Sequence, residues 1–581
     1  MPKLLKVWNL GNTTVRNPNR IEKGLQVFAQ EFQGDLVGPE AEKRFARRLV
    51  EEGIVDSEGT YSDLLGRKWR SVLVKLGFST NRQYWIGNQR YTVGNLATDR
   101  RDLKLKGQDY EMTPVGRRLL EADTLSAKQD VFLRQLLWHE IPSPIEPGFP
   151  GGHMKPFVFL LQVLQRLHRS GDAGLTKVEI GVFLQPFVDH TEESLNSGLE
   201  KLLGYRKNRE QRNTDKIVFD SALLDNTARK MDVSHNTLTD YADTTFRYSM
   251  LTGLLTISSS RLILREDKLA IIESILTKEP HFTAKEDPLT YLATFYAGAG
   301  LPTDDMIFAL QEAGRLITSI GDYGKIPTIG KEQISAITNI QDIQRARYSL
   351  AEQLRDIKEE VFSKNQCNET AVNEILGYLD ALESKRPTDL VIADRPTYLE
   401  WTVWRAFLAI DHIVVTPIGR TRRFPVDDNL LPRHPAPGGG EDMLFEFDDY
   451  LLAVEVTLTT KLRQLVAEGE PVRRHVVETK GTTNKEVYCV FIAPSIDNNT
   501  AETFRIGVWY REDSEDYVNI IPLTIGQFRR VVEVLLHHRF TPQNFQQLLD
   551  KCLSYRNVRA PQWKKMIATE VERWARRVTT P

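Results

Sequence analysis

The carboxylates of Asp442 and Glu455 lie at positions in the sequence that would suit a catalytic or metal-binding role. Glu455 falls inside YLLAVEVTL, an unbroken run of strand-forming residues, and Asp442 precedes it by 455 − 442 = 13 residues. Because side chains alternate between the two faces of a strand, Glu455 shares its face with Leu451 and Ala453. An ionised carboxylate in apolar surroundings is costly unless it is paired, protonated or bound to a cation.

The spacing of the two acids predicts a β-hairpin. Thirteen residues allow one strand, a turn at Asp448-Asp449 and a returning strand, which would place Asp442 beside Glu455. Two hard oxygen ligands, together with water and a substrate phosphate, are a usual way for proteins to hold Mg²⁺. The alternative is that Glu455 belongs to an edge strand and points into water.

The composition narrows the class of protein. A chain of 581 residues predicts three or four domains, and 41% hydrophobic with 27% charged residues is ordinary for a soluble globular protein. The cysteines Cys367, Cys489 and Cys552 are far apart, which indicates neither a disulfide framework nor a zinc site. We expect a cytoplasmic protein, since there is no apolar run of membrane-spanning length and no signal-peptide core.

The charge is uneven along the chain. The net charge is −2, yet residues 1–120 contain 21 Lys and Arg against 14 Asp and Glu, a local excess of 21 − 14 = 7 positive charges. A basic amino-terminal part suggests a surface that contacts nucleic acid, although solvated helices often carry a similar excess.

Two stretches have the order of elements of a winged-helix domain. In residues 1–140, helices at 39–51 and 62–78 precede strand-like segments and a helix at 111–123. In residues 141–270, a helix-turn-helix pattern and the basic cluster GYRKNREQRNTDK precede a hairpin. Either stretch could instead be a protein-interaction module, and single basic residues could simply be solvated.

The remaining chain divides into a helical part and an α/β part. Residues 271–385 are charged and helical, which predicts a linker with a long helix at 340–362. In residues 386–581 the predicted elements follow the order helix, hairpin, helix, strand, strand and helix. This order predicts an α/β layer with a mixed sheet. Here Glu400 lies in the first turn of a helix at 396–410, where it could merely complement the helix dipole. A second helix is predicted at 458–470, with Gln464 and Glu468 on one face.

These residues resemble a known family. Asp442, the triplet Glu455-Val456-Thr457, Gln464, Glu468 and EPVRRH, with YLEWTVW upstream and YCVFIAP and NIIPLT downstream, are similar to the AlwI family of type IIS restriction endonucleases. That family includes strand-specific nicking endonucleases that act as large subunits of heterodimeric restriction enzymes. The resemblance covers the whole chain, and its carboxy-terminal phrases are the most specific.

The resemblance implies a fold and a site. It implies two amino-terminal winged-helix-like DNA-recognition subdomains, a helical linker and a FokI-like cleavage domain of the PD-(D/E)xK type. Asp442 and Glu455 would bind Mg²⁺ with the backbone carbonyl of Val456, and Glu400 and Glu468 would complete the acidic site. The sequence departs from the wider nuclease pattern at Thr457, where a lysine is usual. Lys461 and His475 are weak substitutes for its charge.

The function expected from the resemblance is hydrolysis of double-stranded DNA outside an asymmetric site. A nicking enzyme, or the large subunit of a heterodimer, would need a small nuclease subunit or a second copy to cut both strands. A cognate methyltransferase would belong to the same system. The alternatives are a winged-helix regulator with a degenerate nuclease domain, which the missing lysine favours, and a repair nuclease that recognises DNA structure.

Overall fold

The structure is a computed structural model of the chain. It describes all residues except 1–6, 16, 56–62, 82, 87–88, 93–102, 105–109, 147–148, 150–151, 173, 213–214, 259, 279, 385–389, 391, 393, 411–412, 415–417, 437–438, 512–513, 539 and 580–581. The chain divides into two compact units, Met1–Gln353 and Leu354–Pro581. The predicted boundary at 385/386 lies outside the described residues, and the four-domain division remains a prediction.

The first unit is mostly helical. Its helices are α1 (Ile21–Val27), α2 (Gly38–Glu51), α3 (Asp63–Lys75), α4 (Pro114–Glu121), α5 (Leu125–Trp138), α6 (Pro156–Arg169), α7 (Lys177–Phe183), α8 (Glu192–Glu210), α9 (Lys216–Lys230), α10 (His235–Met250), α11 (Leu269–Leu276), α12 (Thr283–Glu286), α13 (Pro288–Ala297), α14 (Met306–Asp322), α15 (Lys331–Ser335) and α16 (Ile340–Asn365), which continues into the second unit. Its strands are β1 (Ser79–Asn81), β2 (Gln83–Ile86), β3 (Gln89–Thr92), β4 (Leu103–Lys104), β5 (Tyr110–Met112), β6 (Leu255–Ser258) and β7 (Arg261–Leu264).

The predicted elements of residues 1–140 form in the expected order. Helices α2 and α3 match the predictions at 39–51 and 62–78, although residue 62 lies outside the described residues. The two helices approach closely at Gly66, where a Cβ atom would stand 1.9 Å from the carbonyl oxygen of Glu42. Strand β1 then pairs with β5, and Thr113 caps α4 by accepting a hydrogen bond from the Gly116 N–H. The winged-helix character of this region remains a prediction.

The second predicted hairpin is held to a helix by a buried acid. Strands β6 and β7 pair antiparallel, and Leu175, just before α7, forms a β-bridge with Leu262. Glu179 on α7 is 1% exposed and forms ion pairs with Arg206 at 2.9 Å and Arg261 at 2.8 Å. Arg206 belongs to the predicted basic cluster, so part of that cluster braces the fold.

The second unit combines helices with a four-stranded sheet. Its helices are α17 (Glu369–Ser384), α18 (Arg395–Leu408), α19 (Leu462–Lys480), α20 (Asn498–Ile506), α21 (Ile525–Glu533), α22 (Pro542–Ser554) and α23 (Ala560–Thr579). Its strands are β8 (Met443–Glu446), β9 (Tyr450–Val456), β10 (Glu486–Ala493), β11 (Val508–Arg511), β12 (Ser514–Tyr517) and β13 (Asn519–Thr524). Strands β11 and β12 form a separate hairpin.

The predicted mixed sheet is confirmed. Its strand order is β13-β10-β9-β8, with β9, β10 and β13 parallel and β8 antiparallel to β9. Strands β9 and β10 are buried along nearly their whole length, as the continuous apolar runs predicted. Helix α18 packs on the core through Phe407, whose ring contacts those of Phe445 and Phe528.

One helix differs from its prediction. The sequence suggested a helix at 458–470, but α19 begins at Leu462 and runs through Pro471 to Lys480. Residues 457–461 belong to no helix or strand, and there the Thr459 N–H donates to the Thr457 hydroxyl. The helix continues past the proline because its later turns bury Val472 and Val476 in the core, and tertiary packing outweighs local propensity. Within the described part of the chain, no helix combines the length and the apolar character needed to cross a membrane.

Candidate active site

The predicted hairpin brings the two central acids together. Met443 on β8 lies opposite Val454 on β9, so the next pair along this antiparallel ladder is Asp442 with Glu455. The carboxylate of Asp442 also accepts a hydrogen bond of 2.9 Å from the Val456 N–H. Strand β9 is an interior strand and Glu455 is 6% exposed, so the alternative of an edge-strand residue in water is wrong.

A third segment lies along the free side of β8. Arg422 forms a β-bridge with Met443, and the Arg423 N–H donates to the Asp442 carbonyl at 3.0 Å. Asp442 is therefore flanked by Glu455 on one side and by Arg423 on the other. Arg423 was not singled out from the sequence, because the run RTRRF carries no spacing signal that relates it to Asp442.

Glu400 reaches the same region from a buried helix. It lies in the second turn of α18, is 5% exposed, and accepts a hydrogen bond of 2.7 Å from the Ala436 N–H. The negative charges of Asp442 and Glu455 both favour the protonated form of Glu400. The helix-dipole interpretation does not account for burial beside two other acids.

Glu468 is the fourth acid near the hairpin. It projects from α19, is partly exposed, and forms a side-chain hydrogen bond with Thr457. The negative charge of Glu468 repels the carboxylates of Asp442 and Glu455. The four acids named from the sequence thus interact in one place, and their catalytic roles remain predictions.

Burial and mutual repulsion alter the acidity of this group. Burial, followed by the charge of Asp442, raises the pKa of Glu400 well above its usual range. Burial, followed by Glu455, does the same to the pKa of Asp442, and burial, followed by Glu468, raises the pKa of Glu455. Burial also raises the pKa of Glu468, against the hydrogen bond from Thr457. A bound cation would relieve this repulsion.

His475 contacts Glu455 directly. Its Nδ1 lies 2.7 Å from Oε1 of Glu455, and its side chain is buried on α19. Burial lowers the pKa of His475, which favours the neutral ring, and a neutral ring with its proton on Nδ1 can donate to the Glu455 carboxylate. From the sequence we expected His475 to be only a weak candidate for stabilising charge, whereas its contact indicates that it orients Glu455.

The sequence also drew attention to Gln464 and Lys461. Gln464 is fully buried, and its amide donates to the carbonyls of Thr459 and Ser495 while its oxygen accepts from the Asp497 N–H. These bonds tie the start of α19 to the loop after β10, which is a structural role. Lys461 is exposed.

The donor chemistry fits a hard divalent cation. Among the described residues, no three His, Cys, Asp or Glu side chains approach closely enough to form a complete protein ligand set. Mg²⁺ does not require one, since it keeps several waters and commonly binds through one or two carboxylates. Asp442 and Glu455, adjacent on the hairpin and electrostatically unsatisfied, would supply these with the carbonyl of Val456.

Comparisons with known proteins point to one family. The sequence profile of the family described as AlwI restriction endonuclease matches residues 93–531. None of the curated proteins matches the chain.

Two solved structures are similar to parts of the chain. One is the small subunit (R.BspD6I2) of the heterodimeric restriction endonuclease R.BspD6I, with 28% identity, 35% of this chain and 98% of that chain covered, and a TM-score of 0.28. The other is the BpuJ1 endonuclease binding domain, in a crystal structure with pyrene- and phenanthrene-modified DNA. It shares 13% identity, covers 47% of this chain and 89% of that chain, and has a TM-score of 0.28.

Proposed function

The chain belongs to the AlwI restriction endonuclease family, and from that premise we propose that it is a type IIS endonuclease. It hydrolyses phosphodiesters of double-stranded DNA outside an asymmetric sequence, with Mg²⁺ as cofactor, and the isolated chain nicks one strand. The observation that carries this proposal is the pairing of Asp442 and Glu455 across a buried hairpin, with Glu400 and Glu468 beside it.

The buried acids argue against a purely DNA-binding regulator. Clustered carboxylates with raised pKa values destabilise the folded protein at neutral pH and repel the phosphates of DNA. A binding protein has no use for such a cluster, whereas a hydrolase uses it to hold a cation at the scissile phosphate.

The proposed reaction assigns roles to the residues on and beside the hairpin. Asp442, Glu455 and the Val456 carbonyl would hold Mg²⁺, which lowers the pKa of water and neutralises charge on the phosphate. Glu468 is the candidate to accept the proton of the attacking water, because its raised pKa brings it closer to the operating pH. His475 orients Glu455. The water oxygen bonds to phosphorus as the bond to the 3′ oxygen breaks, and the departing oxygen takes up a proton, leaving 5′-phosphate and 3′-hydroxyl ends.

Recognition of the DNA sequence is assigned to the amino-terminal half. In this proposal, residues 1–140 and 141–270 are winged-helix-like subdomains that bind the duplex, and residues 271–385 link them to the PD-(D/E)xK cleavage domain at 386–581. The helices α2 and α3 followed by the β1–β5 pairing, and the helices α6 and α7 with the β6–β7 hairpin, support this assignment.

Cutting both strands needs a second nuclease centre. One centre of this type hydrolyses one phosphodiester at a time, so a small nuclease subunit or a second copy of this chain would cut the other strand. A cognate methyltransferase would protect the host DNA at the same sequence.

The test is a digest of plasmid DNA with the full chain and Mg²⁺, followed by run-off sequencing of the products. We expect breaks at a fixed offset from one sequence, and none with Glu455→Ala, which should still shift a cognate duplex in a gel. No cleavage by the wild-type chain would favour the regulator, and cleavage at branched junctions irrespective of sequence would favour a repair nuclease.

A further inference from the structure

The acidic site creates an electrostatic problem for its substrate. A DNA phosphate must approach Asp442 and Glu455, which pair across the hairpin, and Glu400 and Glu468 beside them, so it meets four carboxylates at once. A positively charged side chain beside the hairpin would offset this repulsion and the negative charge that grows during hydrolysis. Strand β9 does not provide one, since Thr457 follows Val456.

Arg423 is placed to provide that charge. The 422–423 segment pairs with the outer edge of β8, with Arg422 opposite Met443, so the next residues in register are Arg423 and Asp442. The backbone bond from the Arg423 N–H to the Asp442 carbonyl holds the two residues together. In antiparallel pairing, residues directly opposite each other project from the same face. Arg423, Asp442 and Glu455 therefore form a row across three neighbouring segments.

The guanidinium of Arg423 acts on this cluster without being bound by it. Its positive charge lies close enough to interact with Asp442, Glu455 and His475. Its Nη1 is buried, yet it has no hydrogen-bond partner among the described residues. A buried guanidinium N–H without a partner is costly and needs an explanation.

Two other arginines of the same unit, Arg422 and Arg405, are held by ion pairs and hydrogen bonds. Arg422 pairs with Glu359 at 2.7 Å and donates to the Phe424 carbonyl at 2.6 Å. Arg405 pairs with Glu374 at 2.7 Å and donates to Gln366. Arg423 differs because its Nη1 is buried beside an acidic site and lacks such a bond.

Space for the guanidinium is made by a glycine. A Cβ atom at Gly440 would stand 2.2 Å from Nη1 of Arg423, so the side chain occupies the place that any larger residue would fill. Gly440 lies two residues before Asp442, on the same approach to β8. The absence of a side chain there keeps the guanidinium against the hairpin.

From this geometry we infer that Arg423 is a catalytic residue of the proposed nuclease, whose guanidinium contacts a non-bridging oxygen of the scissile phosphate. The inference rests on the proposed function. An arginine suits this role because it stays charged and its N–H groups match phosphate oxygens. Its contact strengthens as negative charge accumulates on those oxygens, so it contributes more to the rate than to binding of the DNA.

The first test compares Arg423→Gln and Arg423→Lys in the full chain with Mg²⁺. Loss of one charge-stabilising donor should lower the single-turnover nicking rate about 10²- to 10³-fold. The dissociation constant for the cognate duplex should change less than about 3-fold, because most backbone contacts lie elsewhere. Arg423→Lys should recover part of the rate by restoring the charge, and free guanidinium ion should partly rescue Arg423→Ala. Arg420→Gln, an exposed arginine of the same segment, is the matched control and should nick normally.

A second variant moves the charge without removing it. Gly440→Ala should displace the flexible end of Arg423 and leave the backbone intact, so nicking should fall while DNA affinity is kept. If Arg423 were only structural, Arg423→Lys and guanidinium would restore no rate, and Gly440→Ala would nick at the wild-type rate. Either outcome would overturn the inference.

Failure of the inference and failure of the proposed function give different results. If wild-type protein nicks, Glu455→Ala does not, and Arg423→Gln nicks at the wild-type rate, then only the role of Arg423 is wrong. If wild-type protein does not cleave DNA at all, the proposed nuclease function is wrong. A Mg²⁺-induced rise in melting temperature that Arg423→Gln retains would show that the variant is folded and keeps its cation ligands.

Discussion

Nδ1 of His475 lies 2.7 Å from Oε1 of Glu455, and both side chains are buried. The bond joins the second half of α19 to the end of β9, so the helix fixes the direction in which the carboxylate points. A neutral histidine that donates to a ligand carboxylate orients it and leaves its second oxygen available for a cation.

This contact predicts a graded series of variants at one position. His475→Ala should lower the nicking rate about 10- to 100-fold, as loss of a residue that orients a ligand does. His475→Asn should retain more activity, since its amide nitrogen can occupy the place of Nδ1. Single-turnover nicking across a range of pH checks this. If both variants lost the same amount of nicking activity and one limb of the pH–rate profile disappeared, His475 would instead be a proton-transfer group.

The raised pKa values predict how stability depends on pH. Asp442 and Glu455 bind protons more tightly in the folded chain than in the unfolded chain. Over a range of pH, these two carboxyl groups are therefore protonated in the folded chain but ionised in the unfolded chain. The free energy of unfolding in EDTA should therefore fall as pH rises above about 4, the usual range of carboxyl groups. Mg²⁺ should offset this, with a stabilising effect that grows with pH because protons compete for the same oxygens.

Neutral variants of Asp442 and Glu455 should be more stable than the wild-type chain in the absence of metal. Asp442→Asn and Glu455→Gln should raise the melting temperature in EDTA at pH 8 by about 2 °C or more, since they remove buried charge. They should also lose the Mg²⁺-induced shift. Thermal melts at pH 5.5, 7 and 8.5, with and without Mg²⁺, measure both effects. Glu446→Gln, a change at a partly exposed acid on the same hairpin, is the control and should keep the shift.

The hairpin was predictable because it depends on local rules. Alternation of side chains, a turn at Asp448-Asp449 and the distance between two acids are all visible in one stretch of sequence. The mixed sheet followed for the same reason, since each buried strand is a continuous apolar run such as YCVFIAP.

The surroundings of the hairpin were less predictable because they depend on register between distant segments. Arg423 meets Asp442 only through strand pairing at the outer edge of β8, and His475 meets Glu455 only because α19 continues beyond Pro471. Gln464 matched a family phrase, yet its three hydrogen bonds show a structural role that no spacing reveals.

The buried acid of α7 predicts a stability defect in the first unit. Arg206→Gln should lower the free energy of unfolding by about 2 kcal/mol, because it leaves Glu179 buried with Arg261 as its remaining ion-pair partner. Lys207→Gln, at the exposed neighbouring position, should change it by less than about 0.5 kcal/mol. Urea unfolding of both variants makes the comparison. Equal stabilities would mean that the Glu179 network does not brace the hairpin.

The number of strands cut follows from the number of catalytic centres. The described residues of the second unit present one hairpin with paired buried acids, and an asymmetric recognition region would place a single copy on DNA in one orientation. Nicking of one fixed strand should therefore dominate at low protein concentration, and double-strand breaks should require a second copy or a small subunit. Titration of a supercoiled plasmid with one site tests this: open circles should accumulate well before linear DNA. Direct conversion to linear product at the lowest protein concentrations, without an open-circle intermediate, would exclude nicking as the activity of the isolated chain.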